Sequence, residues 1–232
     1  VNYRRDGIVL GLATGVFGAA FGVLAATAQL SLAKAMAMSL FVFTGASQFA
    51  AVSVAAVGGS PVSALGGALL LAARNGIYGL ALSDRLRRYR WPLRLVAAQL
   101  VIDETTAMAV AQHDPDDSRR AFWVTGVAVF LCWNVGTAAG VMVGTHLADP
   151  SALGLDAAFP AGFVALLAPH LRRAPGRAAA AAGGILALCG LPLLPSGAPI
   201  LLAALGVLAG VGVMRRGSGS ATTEMSMEPQ SS

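Results

Sequence analysis

The sequence predicts an all-α fold: a polytopic transmembrane helix bundle of about seven to eight membrane segments, some of them broken or re-entrant. Three observations predict it. Hydrophobic residues make up 56% of the 232 residues and charged residues only 12%, where an ordinary globular chain carries about 25% charged. The mean hydropathy is +0.70. Apolar runs of about 17–25 residues, the length a helix needs to cross a bilayer, recur along nearly the whole chain. One membrane domain over 1–216 is expected, followed by a polar tail, 217–232 ("GSGSATTEMSMEPQSS"), whose composition cannot bury a core and reads as disordered.

The first segment, 7–29, follows Arg4 and Arg5 and ends on small residues at Ala26 and Ala28, as a cleaved signal would. Its apolar run, about 22 residues, is longer than the 7–15 of a signal core, so it reads as a retained span. Further spans are expected at 35–57, 62–82, 93–111, 121–145 and 198–214. Two more are weaker. Segment 155–170 contains Asp156, Pro160 and Pro169, and 178–191 runs into Pro192, Pro195 and Pro199, so each reads as short, broken or re-entrant.

The net charge of +5 does not point to nucleic acid, because the basic residues sit in short clusters between apolar segments, a topological pattern. Eight crossings would put Arg4, Arg5, Arg119, Arg120, Arg172, Arg173, Arg177, Arg215 and Arg216 on one side. Lys34, Arg85, Arg87, Arg88, Arg90 and Arg94 would then lie on the other. An early segment that turned back inside the bilayer would instead bring the 83–94 cluster to the N-terminal side. Cys132 and Cys189 lie in apolar runs with no CxxC and no histidine at ligand spacing, so both read as core hydrophobes, with no metal or cofactor expected. Gly7, Gly11, Gly15, Gly18 and Gly22, and Gly136, Gly140 and Gly144, mark faces where backbones approach closely.

Three ionisable residues fall at mid-depth: Arg74 in one segment, Asp103 and Glu104 in the next. Each costs about 2.5–3.5 kcal/mol to insert, so each needs a partner or a task. Neighbouring residues on a helix point about 100° apart, so at most one carboxylate pairs fully with Arg74. The other is left to water, a partner chain or a proton, unless the set is only an ion pair fastening two helices. Around these charges lie Asn75, Tyr78, Gln99, Thr105, Thr106, Asn134 and Thr137. The amides of Gln48, Asn75 and Asn134 are expected to reach another helix. Residues 43–50, "FTGASQFA", place Thr44, Gly45, Ser47 and Gln48 inside an apolar run. That reads as a helix opened at membrane depth, tolerable where it lines a protein-walled cavity. Discontinuous helices of this kind bind small zwitterions in secondary transporters.

With "FTGASQFAAV", "RNGIYGLALSDRL" and "DETTAM", and with "WNVGTAAG" at 133–140 and "LGLDAAFPAGFVALLAP" at 153–169, the chain resembles the AzlC family from about residue 7 to 214. That family comprises the large subunits of bacterial two-component branched-chain amino acid exporters. The resemblance implies export of leucine, isoleucine and valine, and sometimes methionine, across the bacterial inner membrane. It also implies a partner, a small hydrophobic AzlD-like subunit. Gly45, Ser47, Gln48, Arg74, Tyr78, Asp103 and Glu104 match by motif. Where relatives commonly have Asn-Leu-Arg-His, this chain has Ala72, Ala73, Arg74 and Asn75, a departure that bears on substrate preference.

The substrate-binding set is therefore expected to be Thr44, Gly45, Ser47, Gln48, Arg74, Asn75, Tyr78 and Asn134, with Asp103 and Glu104 as ion-coupling residues. No P-loop pattern is present, so the drive is expected to be an ion gradient, protons first and sodium second. No enzymatic activity is expected. One rival is a rhomboid-like intramembrane serine protease, because "GASQ" is a G-x-S-x stretch; it needs a histidine near Ser47, whereas His113, His146 and His170 fall in loops or at span ends. The other rival is a membrane scaffold that transports nothing.

Overall fold

The computed structural model describes residues 2–146, 164, 167–168, 170–194 and 198–214, and every regular element among them is helical. The tail 217–232, Arg215, Arg216 and most of 155–170, with Asp156, Pro160 and Pro169, lie outside the described residues. The chain forms two compact units, Val1–Phe159 and Pro160–Ser232.

Three helices of the first unit are long and apolar enough to cross a membrane: α1 (Tyr3–Thr27), α4 (Pro61–Leu86) and α7 (Pro115–His146). Between them lie four short helices, α2 (Leu32–Phe41), α3 (Ala46–Ala56), α5 (Trp91–Gln99) and α6 (Asp103–Val110). Local chemistry sets the starts of the long helices. Ser60 accepts from the Ser63 N–H at 3.1 Å ahead of Pro61, and Asp114 accepts from the Asp116 and Asp117 N–H groups at 2.8 and 3.0 Å around Pro115. Both are a capping oxygen followed by a proline whose missing N–H costs nothing there.

The glycine faces expected from the sequence meet each other. A methyl on Gly7 would strike Thr125, on Gly11 Ala128, on Gly15 Cys132 and on Gly18 the Trp133 backbone. In return, methyls on Gly136 and Gly140 would strike the backbone of Gly15 and Ala19, and one on Gly144 would meet Val23 and Ala26. The contacts rise together in number, so α1 and α7 run parallel. Lipid gives helices no hydrophobic reason to associate, and backbone approach over small residues supplies the packing instead.

Used as a ruler, α7 gives the course of the rest. Ala35 packs on Val141, Ser39 Oγ lies 3.2 Å from Thr137 Oγ1, and the Phe43 ring meets Phe130 at 4.9 Å. So α2 descends from the C-terminal end of α7 to its middle. There the chain turns, and α3 heads back, with Gln48 Nε2 donating to the Met38 carbonyl of α2 at 2.8 Å. The second hairpin enters from the other end. Leu100 and Thr105 pack on Gly126, and Ser118 Oγ donates to the Ala109 carbonyl at 2.6 Å, so α6 runs from the middle of α7 toward its start.

The long α4 joins the two. Asp84, Arg85 and Arg88 share a pocket with His113–Asp116, and Trp123 Nε1 donates to Tyr89 Oη at 3.0 Å, so its C-terminal end lies beside the start of α7. A 26-residue helix spans about 39 Å, which puts Pro61 and the end of α3 at the opposite end. The expected spans 35–57 and 93–111 are thus not crossings. Each is a pair of half-helices that enters and leaves at the same end, from opposite ends of the unit. The 83–94 arginine cluster therefore joins Arg4, Arg5, Arg119 and Arg120.

In the second unit, α8 (Ala174–Gly190) follows a short 3₁₀ turn, His170–Arg172. It packs antiparallel on α9 (Ala198–Ala203) and its continuation to residue 214, with a methyl on Gly206 striking Gly183 and one on Gly210 striking Pro175. The expected segments 178–191 and 198–214 are this helical hairpin.

Candidate functional site

The tips of the two hairpins meet at the middle of α7. The first break, Val42–Gly45, ends in a glycine at φ +46°, ψ −86°, with no side chain capping α3 behind it. The Thr44 and Ser47 hydroxyls bond to each other across the turn. A methyl on Gly45 would sit 3.6 Å from the Trp133 ring, which belongs to an aromatic cluster in which Phe21 and Phe49 stand edge-on at 5.6 Å and both contact Trp133.

The second break, Leu100–Ile102, contains no glycine or proline and is closed by a hydroxyl. Thr105 Oγ1 accepts from the Ile102 N–H at 3.1 Å and donates to the Leu100 carbonyl at 2.7 Å. The side chain is fully buried. Asp103 and Glu104 then fall in the first turn of α6, where the partial positive charge of the helix N-terminus favours carboxylates.

Gln99 joins the tips. Its Nε2 donates to the carbonyls of Leu40 at 2.9 Å and Phe41 at 3.3 Å, two acceptors that the end of α2 leaves open. Gln99 stands outside the residues expected to bind substrate, and its polarity in an apolar run was the one signal for it.

Arg74, halfway along α4, pairs with Asp103 at 3.3 Å, and both side chains keep more than a third of their surface exposed. Glu104 makes no ion pair with it and follows Asp103 directly in the first turn of α6. One carboxylate paired and the other spare is the arrangement expected of adjacent positions on a helix. Tyr78, one turn from Arg74, packs against the core. Among the described residues, no hydrogen bond or ion pair links Thr44, Ser47 or Gln48 directly to Arg74 or Asp103. The two clusters connect through the Gln99 contact.

The amides behave differently from one another. Gln48 reaches across to α2, as expected, and its Oε1 has no protein partner. Asn134 does not reach across: its Nδ2 donates to Phe130 of its own helix at 2.7 Å, because the carbonyl one turn back is the nearest acceptor. Buried Asn75 Oδ1, Asn134 Oδ1, Thr106 Oγ1 and Trp133 Nε1 also lack protein hydrogen-bond partners. Such a group costs about 1–3 kcal/mol when left unpaired.

The family model of the AzlC protein matches residues 9–147, from α1 through α7. Curated relatives include an uncharacterized membrane protein of Helicobacter pylori, 26% identical over 77% of this chain and 78% of that protein. Another, from Archaeoglobus fulgidus, is also an uncharacterized membrane protein, 33% identical over 71% of this chain and 73% of its own length. No solved structure matches. The matched region holds both hairpins, α4, α7 and all of α1 but its first six residues.

Proposed function

Because the chain belongs to the AzlC family, we propose that this membrane protein is a secondary transporter exporting branched-chain amino acids, leucine, isoleucine and valine and sometimes methionine. In this reading it sits in the bacterial inner membrane, works with a small hydrophobic AzlD-like subunit and is driven by protons. The observation that carries the reading is the Arg74–Asp103 pair, partly exposed, which joins the middle of α4 to the start of α6 just after the second break. A buried charge pair is a poor fastener, since the cost of taking both ions out of water offsets their attraction; this pair keeps both side chains partly exposed. Solute carboxylate competes with Asp103 for Arg74, and the displaced acid shares a proton with Glu104, so solute and proton occupancy are linked at one place.

The bare N-terminus of α3 offers a second set of N–H donors for the solute, with Gln48 Oε1, Asn75 Oδ1 and Asn134 Oδ1 as acceptors for its ammonium. Thr44 and Ser47 hold the turn that keeps those donors open. Their mutual hydrogen bond also argues against the protease reading, since Ser47 bonds to a hydroxyl rather than to a base. The arginine-bearing end, with Arg4, Arg5, Arg85, Arg87, Arg88, Arg90, Arg94, Arg119 and Arg120 against Lys34 opposite, is the cytoplasmic one by the positive-inside bias.

The test is efflux of labelled leucine from proteoliposomes holding the chain and its small partner, with an imposed proton gradient. Gradient-dependent efflux that Arg74→Ala lowers by about 10- to 100-fold is expected, the scale of losing a charged hydrogen-bonded anchor. Wild-type rates in a correctly inserted Arg74→Ala variant would remove Arg74 from the mechanism, and no efflux by the wild type would favour a scaffold.

A further inference from the structure

We infer that the cleft between the C-terminal half of α4 and α5 is an outer binding site for a zwitterionic α-amino acid, where solute loads before it reaches Arg74. The inference rests on the transport reading and adds a second site to it. The cleft has a volume of about 450 Å³ and opens on the arginine-bearing face. That falls within the about 300–1,000 Å³ of small-molecule sites. At its mouth stand Arg87, Arg94 and Asp84; its inner wall is Gly79, Ala98 and Val101.

The charges at the mouth are unspent. Every arginine paired with a carboxylate among the described residues lies elsewhere, at Arg74, Arg119 and Arg120, and the neighbouring Arg85 donates to the Ala81 carbonyl instead. Asp84 likewise faces no cation within ion-pair distance. Two guanidinium groups suit one carboxylate, and one carboxylate suits one ammonium. A bare anion would be opposed by Asp84 and a bare cation by the two arginines, so the mouth favours a molecule carrying both charges. Apart from Ser83 the wall beneath is apolar, and at Gly79 a side chain is missing where the space is open. An aliphatic side chain fits there.

Position gives the site its role. Val101 ends the cleft two residues before Asp103, and Gly79 is five residues from Arg74, about 7.5 Å along the helix axis. The inner wall is therefore about a turn and a half from the inner ion pair, and the mouth, at Asp84 and Arg87, about three turns from it, roughly 15–20 Å along the helix axis. Since the arginine-bearing end is the loading side for export, this cleft stands at the entrance.

Leucine efflux kinetics in proteoliposomes carrying the full chain and its partner test the proposal, with Arg4→Gln as a control charge loss on the same face outside the cleft. Arg94→Gln and Asp84→Asn should each raise KM for leucine about two- to five-fold with little change in maximal rate, the size of an exposed ionic contact. The wild-type KM should also rise with salt, and less so in Arg94→Gln. Leucinamide, which lacks the carboxylate, should compete equally well against wild type and Arg94→Gln. Active transport with KM unchanged in both variants would overturn the outer site alone. Absence of leucine transport by the wild type would overturn both it and the transport reading.

Discussion

Gly45 holds a backbone conformation, φ +46° and ψ −86°, that side-chain-bearing residues scarcely adopt. Space is not the constraint, since a methyl there would sit 3.6 Å from Trp133, an ordinary contact. Gly45→Ala is therefore expected to destabilise the fold by about 1–3 kcal/mol through backbone strain, read as a lowered melting temperature in detergent. Gln29 is the opposite case. It closes α1 at φ +60°, with the Leu30 N–H returning to the Ala25 carbonyl, the same ending that Gly58 gives α3. Gln29→Gly should raise stability by up to about 1 kcal/mol in the same measurement, because glycine enters the left-handed region without penalty.

At the scale of elements, the glycines of α1 and α7 and those of α4 differ. A methyl on Gly140 would meet the Ala19 backbone, which cannot step aside, whereas one on Gly76 would meet nothing within 4 Å. Gly140→Ala should cost about 1–3 kcal/mol by forcing the helices apart, while Gly76→Ala should be neutral or stabilising by up to about 1 kcal/mol through helix propensity. Paired thermal melts of the two variants check the contrast.

The same elements show what could be read in advance. Glycine spacing revealed the packing faces, because small side chains at helical intervals have few other uses in lipid. The hairpins were harder. Hydropathy measures the length of an apolar run, and the break at Leu100–Ile102 is itself wholly apolar, closed by a threonine hydroxyl that looks like any other in sequence. Of the two hairpin tips only "TGASQ" announced a break, and even there the sequence could not tell a broken crossing from a turn back. Arg74, Asp103 and Glu104 were legible because charge at depth is costly. Gln99 was not, because its acceptors lie 58 and 59 residues away along the chain.

For the first unit as a whole, two half-helix hairpins entering from opposite ends, each followed by a long helix, form an inverted pair of motifs. Such pairs underlie alternating access in secondary transporters, with ligand sites where the broken helices meet. The arrangement fixes sidedness. With Cys132 and Cys189 replaced, single cysteines at Arg90 and Asp114 should react with a membrane-impermeant thiol reagent from the same side, and one at Lys34 from the other. If Arg90→Cys and Asp114→Cys reacted from opposite sides, 93–111 would be a crossing after all.

In the transport reading, the Arg74–Asp103 pair borders a solvated solute path at mid-depth. Thr106 lies one turn beyond Asp103 on the same face of α6, buried, with its hydroxyl unpaired. Thr106→Cys, nearly equal in volume, places a reporter there, and the measurement is its rate of modification by a small water-soluble thiol reagent with and without leucine. Modification that leucine slows is the result expected here. A cysteine that never reacts, or reacts at the same rate with leucine present, would contradict the account.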